Sequence, residues 1–146
     1  MKIVIVGGVA GGASAAARLR RLDEKAQIVL FEKSGYISYA NCGLPYYVGG
    51  VIQEESALTL QTPQSFGTRF RVDVRIRHEV TAIHPERKTV TVHALDTGDM
   101  FEESYDKLVL SPGARPVVPN LPGIDGDHIY TLRNVEDTLR IRRFVE

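Results

Sequence analysis

Residues 2–33 read KIVIVGGVAGGASAAARLRRLDEKAQIVLFEK and carry the strongest fold signal in this 146-residue chain. Residues 2–6 are rich in β-branched side chains and predict a strand that is buried on both faces. Residues 10–25 have helical spacing with a stripe of small side chains, and residues 27–31 predict a second buried strand. A strand, a helix and a strand in this order form a right-handed βαβ unit, so the chain is predicted to begin an α/β domain.

The rest of the chain changes its pattern twice. Thr62 and Pro63 predict the start of a short helix that runs to about residue 70. Alternation with period two then predicts an antiparallel β excursion at about residues 74–105, which begins with a strand at 74–77 and contains the hairpin signal DTGD. Residues 107–111 return to the buried parallel type, and the four prolines that follow indicate a linker. Residues 128–132 are compatible with one more strand, and Asn134 caps a final helix whose apolar side chains have no evident partner.

The composition excludes several classes of function. The 18 basic and 18 acidic side chains cancel, so nothing attracts nucleic acid or an anionic membrane, and partners are expected to be small molecules or proteins. A single cysteine, Cys42, fits a reducing compartment. The apolar residues 3–17 resemble a secretory signal peptide, but glycines interrupt them, a charged helix follows directly, and they fall short of a membrane span. We therefore expect a cytoplasmic protein with no membrane association.

The glycine turn GGVAGG lies between the first strand and the helix. Its bare backbone N–H groups at a positive helix end are what a pyrophosphate needs. Glu32 follows Gly12 by 20 residues, at the end of the second strand, where its carboxylate can accept both hydroxyls of an adenosine ribose and disfavours a 2′-phosphate. Val9 departs from the fingerprint, because it stands where the second glycine is expected. The alternative is a tight turn that serves packing alone.

The second chemical signal is SYANCGLPYYVGG, residues 38–50. Cys42 precedes Pro45, whose fixed φ suits the first turn of a helix. A thiol at a helix N-terminus is stabilised as the nucleophilic thiolate. Ser38 and Asn41 can donate hydrogen bonds to that sulfur. The alternative is a buried cysteine used as a small hydrophobe, which the polar surroundings disfavour.

The third signal is LVLSPGARP, residues 108–116, a small-residue turn at the carboxyl end of a parallel strand, where open α/β sheets bind ligands. Alone it is equally an ordinary turn. The four histidines lack metal-ligand spacing, so no metal site is predicted. Ser14, Arg18 and Arg21 share an outward stripe of the first helix, and the two arginines are open as anion contacts. The surrounding charges from Arg20 to Lys25 are predicted to be a solvated helix face.

With these signals in this order, the chain resembles the N-terminal part of the flavin-dependent pyridine nucleotide-disulfide oxidoreductases that use a single active cysteine. Within that family it is similar to the coenzyme A-disulfide and NADH-dependent persulfide reductases, through GGVAGGASAAARLRRLDE, FEK, SYANCGLPYYVGG, HEVTAI, ESYDKLVLSPGARP and TLRNVED. The related NADH oxidases and peroxidases have a histidine where this chain has Ala10. The resemblance implies a Rossmann-like parallel sheet of FAD/NAD(P)-binding type with the antiparallel excursion.

The resemblance also implies residue roles. Cys42 would attack the sulfur of coenzyme A disulfide or of a persulfide, with FAD as the cofactor and NAD(P)H as co-substrate. FAD would be held by the glycine turn, by the strand ends and by one later arginine: Gly7, Gly8, Val9, Ala10, Gly11, Gly12, Glu32, Lys33, the backbone at Val80, Ser111, Pro112, Gly113, Ala114 and Arg133. Coenzyme A would contact Ser14, Arg18, Arg21, Ser38 and Asn41. A lysine frequent in the family after the Thr-Pro helix start is absent, because Phe70 stands there between Arg69 and Arg71.

Family members continue beyond the length of this chain. We therefore expect residues 1–114 to be the N-terminal segment of an FAD-binding domain, and residues 115–146 to be a linker and helix that lead to an NAD(P)-binding domain. The complete enzyme is expected to be a homodimer, and the 146 residues alone are expected to be inactive. The alternative is a non-catalytic module that binds an adenine nucleotide or coenzyme A.

Overall fold

The computed structural model describes residues 1–146. The strands are β1 (Lys2–Val6), β2 (Gln27–Glu32), β3 (Asp73–Ile76), β4 (His78–His84), β5 (Thr89–Ala94), β6 (Met100–Ser104) and β7 (Lys107–Leu110). The α-helices are α1 (Ala10–Leu22), α2 (Leu44–Val48), α3 (Pro63–Phe70) and α4 (Val135–Val145), and short 3₁₀ turns occupy Asn41–Gly43 and Glu55–Leu58.

A parallel sheet in the order β3-β2-β1-β7 forms the centre of the first compact unit, residues 1–38 and 61–112. Its two middle strands are buried on both faces, as their β-branched runs predict. The α/β fold class with a parallel sheet and an antiparallel excursion is confirmed. This order brings the glycine turn, Glu32 and Ser111 to the carboxyl ends of adjacent strands.

Two cores cover the two faces of this sheet. On one face, α1 and α3 pack on alternate sheet residues, and Ala13 and Ala16 let α1 approach closely. On the other face, the antiparallel sheet β4-β5-β6 contributes Val90 and Val92, which pack on Phe31 and its neighbours. The hairpin predicted at DTGD joins β5 to β6. Each face of the sheet is therefore closed by a separate apolar layer.

The prediction that residues 74–77 belong to the antiparallel excursion is wrong. They overlap β3, which pairs in parallel with β2 at the edge of the main sheet. Val74 and Ile76 pack towards the helices, whereas the Arg75 guanidinium lies 5.4 Å from the centre of the Phe31 ring on the other face. An edge strand with one polar and one apolar side has period two whatever its direction, so periodicity alone did not distinguish the two sheets.

Two further boundaries differ from the sequence predictions. Helix α1 ends at Leu22 and not at residue 25, because the Asp23 carboxylate accepts hydrogen bonds from the backbone N–H groups of Lys25 and Ala26. Residues 128–132 form no strand. The rings of His128 and Tyr130 pack on Phe144 of α4, at centroid distances of 4.8 and 5.4 Å.

The second compact unit consists of residues 39–60 and 113–146. Helix α4 does have a partner, against the sequence prediction, because its Arg142 donates a 3.0 Å hydrogen bond to the Tyr47 carbonyl at the end of α2. Val135 and Thr138 on the same helix are fully buried. Asn134 caps α4 as predicted, accepting from the Asp137 N–H at 2.8 Å. No helix in the chain has both the length and the apolar character needed to cross a membrane.

Candidate functional site

The glycine turn is locked to its surroundings at several points. Gly7 has a φ of +95° and donates to the Phe31 carbonyl at 2.8 Å. A Cβ on Gly7 would overlap the Ser111 carbonyl oxygen, and one on Gly12 would overlap the Gly7 carbonyl oxygen. The Ser38 N–H donates to the Gly8 carbonyl at 3.0 Å. The glycines therefore let the backbones at Phe31, Ser38 and Ser111 approach the turn closely. Packing thus explains part of the glycine content of the turn.

Packing does not account for the N-terminus of α1. Its N-cap, Val9, provides no side-chain hydrogen bond, and its first turn holds no acidic residue. Helices α3 and α4, by contrast, are capped by Thr62 and Asn134. The first helical bond of α1 runs from the Ala13 N–H to the Val9 carbonyl, which leaves the preceding N–H groups at the open helix end. Such an end attracts an anion.

Glu32 is 8% exposed and joins the glycine turn to the next loop. One carboxylate oxygen accepts from the Gly8 N–H at 2.7 Å, and the other accepts from the Ser34 N–H at 2.9 Å. A carboxylate has further lone pairs, so it can still accept from ligand hydroxyls. Glu32 thus fixes the backbone of the turn, a structural role that the sequence did not predict.

A cleft of about 120 Å³ opens beside Glu32 at the ends of β1 and β2. Its lining includes the predicted residues Gly7, Lys33, Val80 and Pro112. At Val80 the pairing of β4 with β5 shifts, so that Thr81 is an extra residue in the ladder. The bulge interrupts the strand pairing directly beside the backbone that was predicted to contact the cofactor. Val80 and Glu32 therefore line one cleft although 48 positions separate them in the sequence.

The cleft also contains His78, which the sequence analysis left without a role. Its Nδ1 lies 2.7 Å from the Ile76 carbonyl, which fixes that nitrogen as the donor. Its ring lies 6.2 Å from the ring of Phe31 and 6.0 Å from that of Phe101. His78 begins β4 two residues after the end of β3, and its approach to Phe31 and Phe101 joins residues distant in the sequence. No cluster of three His, Cys, Asp or Glu side chains with metal-binding geometry is present.

The third sequence signal is divided between the two units. Ser111 donates its N–H to the Val6 carbonyl at 2.8 Å in the first unit. In the second unit Gly113 has a φ of +72°, and Arg133 donates from Nε to the Ala114 carbonyl at 3.1 Å. Arg133 also donates from Nη1 to the Asn41 side-chain oxygen at 3.0 Å. Arg133 therefore brings together two predicted residues from distant parts of the sequence.

Cys42 lies in the 3₁₀ turn before α2 and is exposed, so the alternative of a buried filler is excluded. Pro45 lies in the first turn of α2, and Gly49 ends that helix as predicted. Because the Asn41 oxygen accepts from Arg133, its amide nitrogen is left as a donor next to Cys42 in the sequence. The thiol is therefore accessible, and the amide of its sequence neighbour Asn41 is oriented by Arg133.

Ser14, Arg18 and Arg21 all lie on the exposed face of α1, as their spacing predicted. Ser14 and Ser38 line one cleft between α1 and α3. Ser38 holds a left-handed backbone with a φ of +47°, a conformation uncommon outside glycine and enriched at ligand sites. The first unit thus brings together two of the residues that were predicted to contact coenzyme A.

Arg20 does not belong to the solvated face that the sequence predicted, since it is only 8% exposed. Its guanidinium donates to four backbone carbonyls, those of Asp23, Glu24, Phe70 and Arg71, at 2.7 to 3.0 Å. The charge is buried because the C-terminal ends of two helices supply its acceptors. The bond to the Phe70 carbonyl links residues 50 positions apart, so no local sequence pattern could have predicted that Arg20 is buried.

Comparisons with known proteins agree with this geometry. Residues 1–144 match the family described as pyridine nucleotide-disulphide oxidoreductase. Coenzyme A disulfide reductase of Staphylococcus aureus strain JH9 is 48% identical over 145 residues, which are 99% of this chain and 32% of that protein. The chain thus spans about a third of the length of the curated relatives that it matches.

Solved structures show the same relationship. The reduced CoADR-RHD of Bacillus anthracis has a TM-score of 0.97 and 53% identity over 99% of this chain and 26% of that chain. An NAD-dependent persulfide reductase of A. fulgidus has a TM-score of 0.92 and 36% identity over 98% of this chain and 27% of that chain. Both the sequence match and these folds show that the chain belongs to the pyridine nucleotide-disulphide oxidoreductase family.

Proposed function

We propose that this chain supplies the N-terminal, flavin-binding part of an NAD(P)H-using reductase that acts on coenzyme A disulfide or a persulfide through Cys42. The observation that carries the proposal is the uncapped, glycine-rich N-terminus of α1 beside the Glu32 carboxylate. The relatives named above support the choice of substrate, because they include a coenzyme A disulfide reductase and a persulfide reductase.

The first unit fits an adenine dinucleotide such as FAD. The open end of α1 suits a pyrophosphate, and Glu32 retains lone pairs for ribose hydroxyls. The cleft lined by Lys33, Val80 and Pro112 adjoins that carboxylate. The chemistry supplied at this site by bound FAD would be the uptake of a hydride from NAD(P)H and the return of an electron pair to sulfur. The residues of this chain bind and orient the cofactor, and we assign Gly113, Ala114 and Arg133 to it on the family resemblance.

Cys42 supplies the reaction with substrate. Its thiolate attacks one sulfur of coenzyme A disulfide, forms a mixed disulfide with one coenzyme A, and releases the other as a thiolate. The Asn41 amide nitrogen is the donor nearest in sequence, with its orientation fixed by Arg133. Ser14, Arg18, Arg21 and Ser38 would hold the coenzyme A moiety. A single free cysteine fits a reducing compartment, and on that ground we propose that the enzyme is cytoplasmic.

Two measurements on the 146-residue chain test the proposal. Titration calorimetry with FAD should show that Glu32→Ala weakens binding by about 1.5 to 3 kcal/mol, the contribution of hydrogen bonds to a charged group. Glu24→Ala, at an exposed position after the end of α1, is the matched control and should bind like the wild type.

Mass spectrometry after mixing with coenzyme A disulfide should show one mixed disulfide on the wild type and none on Cys42→Ser. Nucleotide binding without any reaction of Cys42 would instead favour the non-catalytic binding module. Unchanged FAD affinity in Glu32→Ala would place the adenosine elsewhere.

A further inference from the structure

A cleft of about 230 Å³ lies between α1 and α3 in the first unit. Ala17 and Phe66 supply apolar parts of its lining, and polar groups come from Ser14, Ser38 and Arg69. The Ser14 and Ser38 hydroxyls form no hydrogen bond within the chain, so both are available to a ligand. The cleft therefore combines an apolar surface with free donors.

Arg69 is the cation of this cleft and has no acidic partner. Its guanidinium forms no ion pair and no hydrogen bond, and its only described contact is with Phe70, whose ring centre lies 5.4 Å from the Arg69 Cζ. A cation over an aromatic face is held in place without being neutralised. Its hydrogen-bond donors thus stay free for an anion.

The surroundings strengthen this positive charge. Arg18 follows Ser14 by one helical turn on the same exposed face, and it has no ion pair. The buried Arg20 of α1 donates hydrogen bonds to the carbonyls of Phe70 and Arg71, which hold the C-terminal end of α3 close to α1. Although the chain has no net charge, the cleft is lined by the unpaired Arg69 of α3, and α1 carries the unpaired Arg18 one turn from Ser14.

Guanidinium and hydroxyl donors together recognise a phosphate group, and an apolar lining receives the organic part of the same ligand. We propose that Arg69, held by Phe70, binds a phosphate group of the coenzyme A substrate in this cleft, with the Ser14 and Ser38 hydroxyls as further donors. This inference rests on the proposed function for the identity of the ligand. It adds Arg69 as a residue that determines specificity.

Isothermal titration of the 146-residue chain with coenzyme A, adenosine 3′,5′-bisphosphate and pantetheine tests the proposal. Arg69→Gln should raise the Kd of both phosphate-bearing probes by about 10- to 100-fold, because it removes hydrogen bonds between two charged groups. It should leave the Kd of pantetheine, which has no phosphate, unchanged. Arg69→Lys should recover part of the affinity.

Arg71→Gln is the matched control, because it removes the same charge two residues away and Arg71 does not line the cleft. Equal effects of Arg69→Gln and Arg71→Gln would overturn the proposal, and so would failure of the wild type to bind either phosphate-bearing probe. Binding of the bisphosphate that depends on Arg69, without binding of coenzyme A, would keep the phosphate site and refute coenzyme A as its ligand.

Discussion

The glycine turn and the cysteine turn are both predicted to do chemistry, but they are built in opposite ways. In the glycine turn, neighbouring backbone segments occupy the space that side chains would need, and a buried carboxylate binds the turn. Cys42 lies in an exposed 3₁₀ turn before a helix of five residues. Under the proposed function, the glycine turn is a rigid binding site for a cofactor and Cys42 is an accessible nucleophile, so substitutions should affect the two regions in different ways.

The largest effect is expected from Gly7→Ala. A side chain at Gly7 must adopt a φ of +95° and displace the Ser111 carbonyl, so the free energy of unfolding should fall by about 2–5 kcal/mol. Gly98→Ala is the matched control, because Gly98 has a φ of +82° with nothing within 4 Å, and should lose only about 1–2 kcal/mol. Urea denaturation measures both. Equal losses would mean that the turn is not locked by packing.

The next largest loss of folding stability is expected from Glu32→Ala. It leaves the buried Gly8 N–H without its acceptor, which lowers the free energy of unfolding by about 1–3 kcal/mol even without ligand. Glu32→Gln keeps one acceptor oxygen and should lose less. Glu79→Ala removes a carboxylate that lines the same cleft without any such bond, and should stay within about 0.5 kcal/mol of the wild type. If Glu32→Ala also stays within that range, the carboxylate does not support the turn.

Alkylation of Cys42 tests the accessibility of the cysteine turn. Because the thiol is exposed, iodoacetamide at pH 7 should alkylate Cys42 at a rate within about fivefold of that of glutathione. The reaction should leave the free energy of unfolding almost unchanged, because the side chain is exposed. A rate more than about tenfold below that of glutathione would show that neighbouring residues shield the sulfur.

The smallest effect is expected from Arg133→Met, which releases the Asn41 amide. Exposed hydrogen bonds contribute little, so the loss of stability should be about 0.5–1.5 kcal/mol. The alkylation rate of Cys42 should nevertheless fall by about twofold, because a freely rotating amide presents its nitrogen for only part of the time. Arg140→Met removes an exposed arginine of the same unit and is the control. Identical rates in the two variants would exclude a positioning role for Arg133.

Local features of the sequence predicted much of this molecule. The βαβ unit, the glycine turn and the Thr62 and Asn134 caps depend on residues within a few positions of one another, so spacing alone identifies them. Cys42 was predicted to be accessible from its polar neighbours, and its exposure is confirmed.

Most of the features that were missed depend on distant contacts, although the early end of α1 has a local cause in Asp23. Strand β3 was assigned to the wrong sheet because its alternation is the same in either direction. The buried state of Arg20 depends on carbonyls 50 and 51 residues away. The bond between Arg133 and Asn41 spans 92 positions, and His78 shares its cleft with Phe31, which lies 47 positions away. Such pairings are decided by tertiary packing, for which a single sequence has no periodic signal.

The four carbonyls held by Arg20 have a consequence for local stability. Two of them, the carbonyls of Phe70 and Arg71, link Arg20 to the end of α3 and close a loop, so the segment between these residues is anchored at its base in the first unit. Residues 39–60 lie inside that closed loop and belong to the second unit. They can therefore open and reclose as a separate cooperative segment without loosening the parallel sheet. In hydrogen exchange, amides around Cys42 should lose protection at low free energy while those of β1 and β2 exchange only on global unfolding.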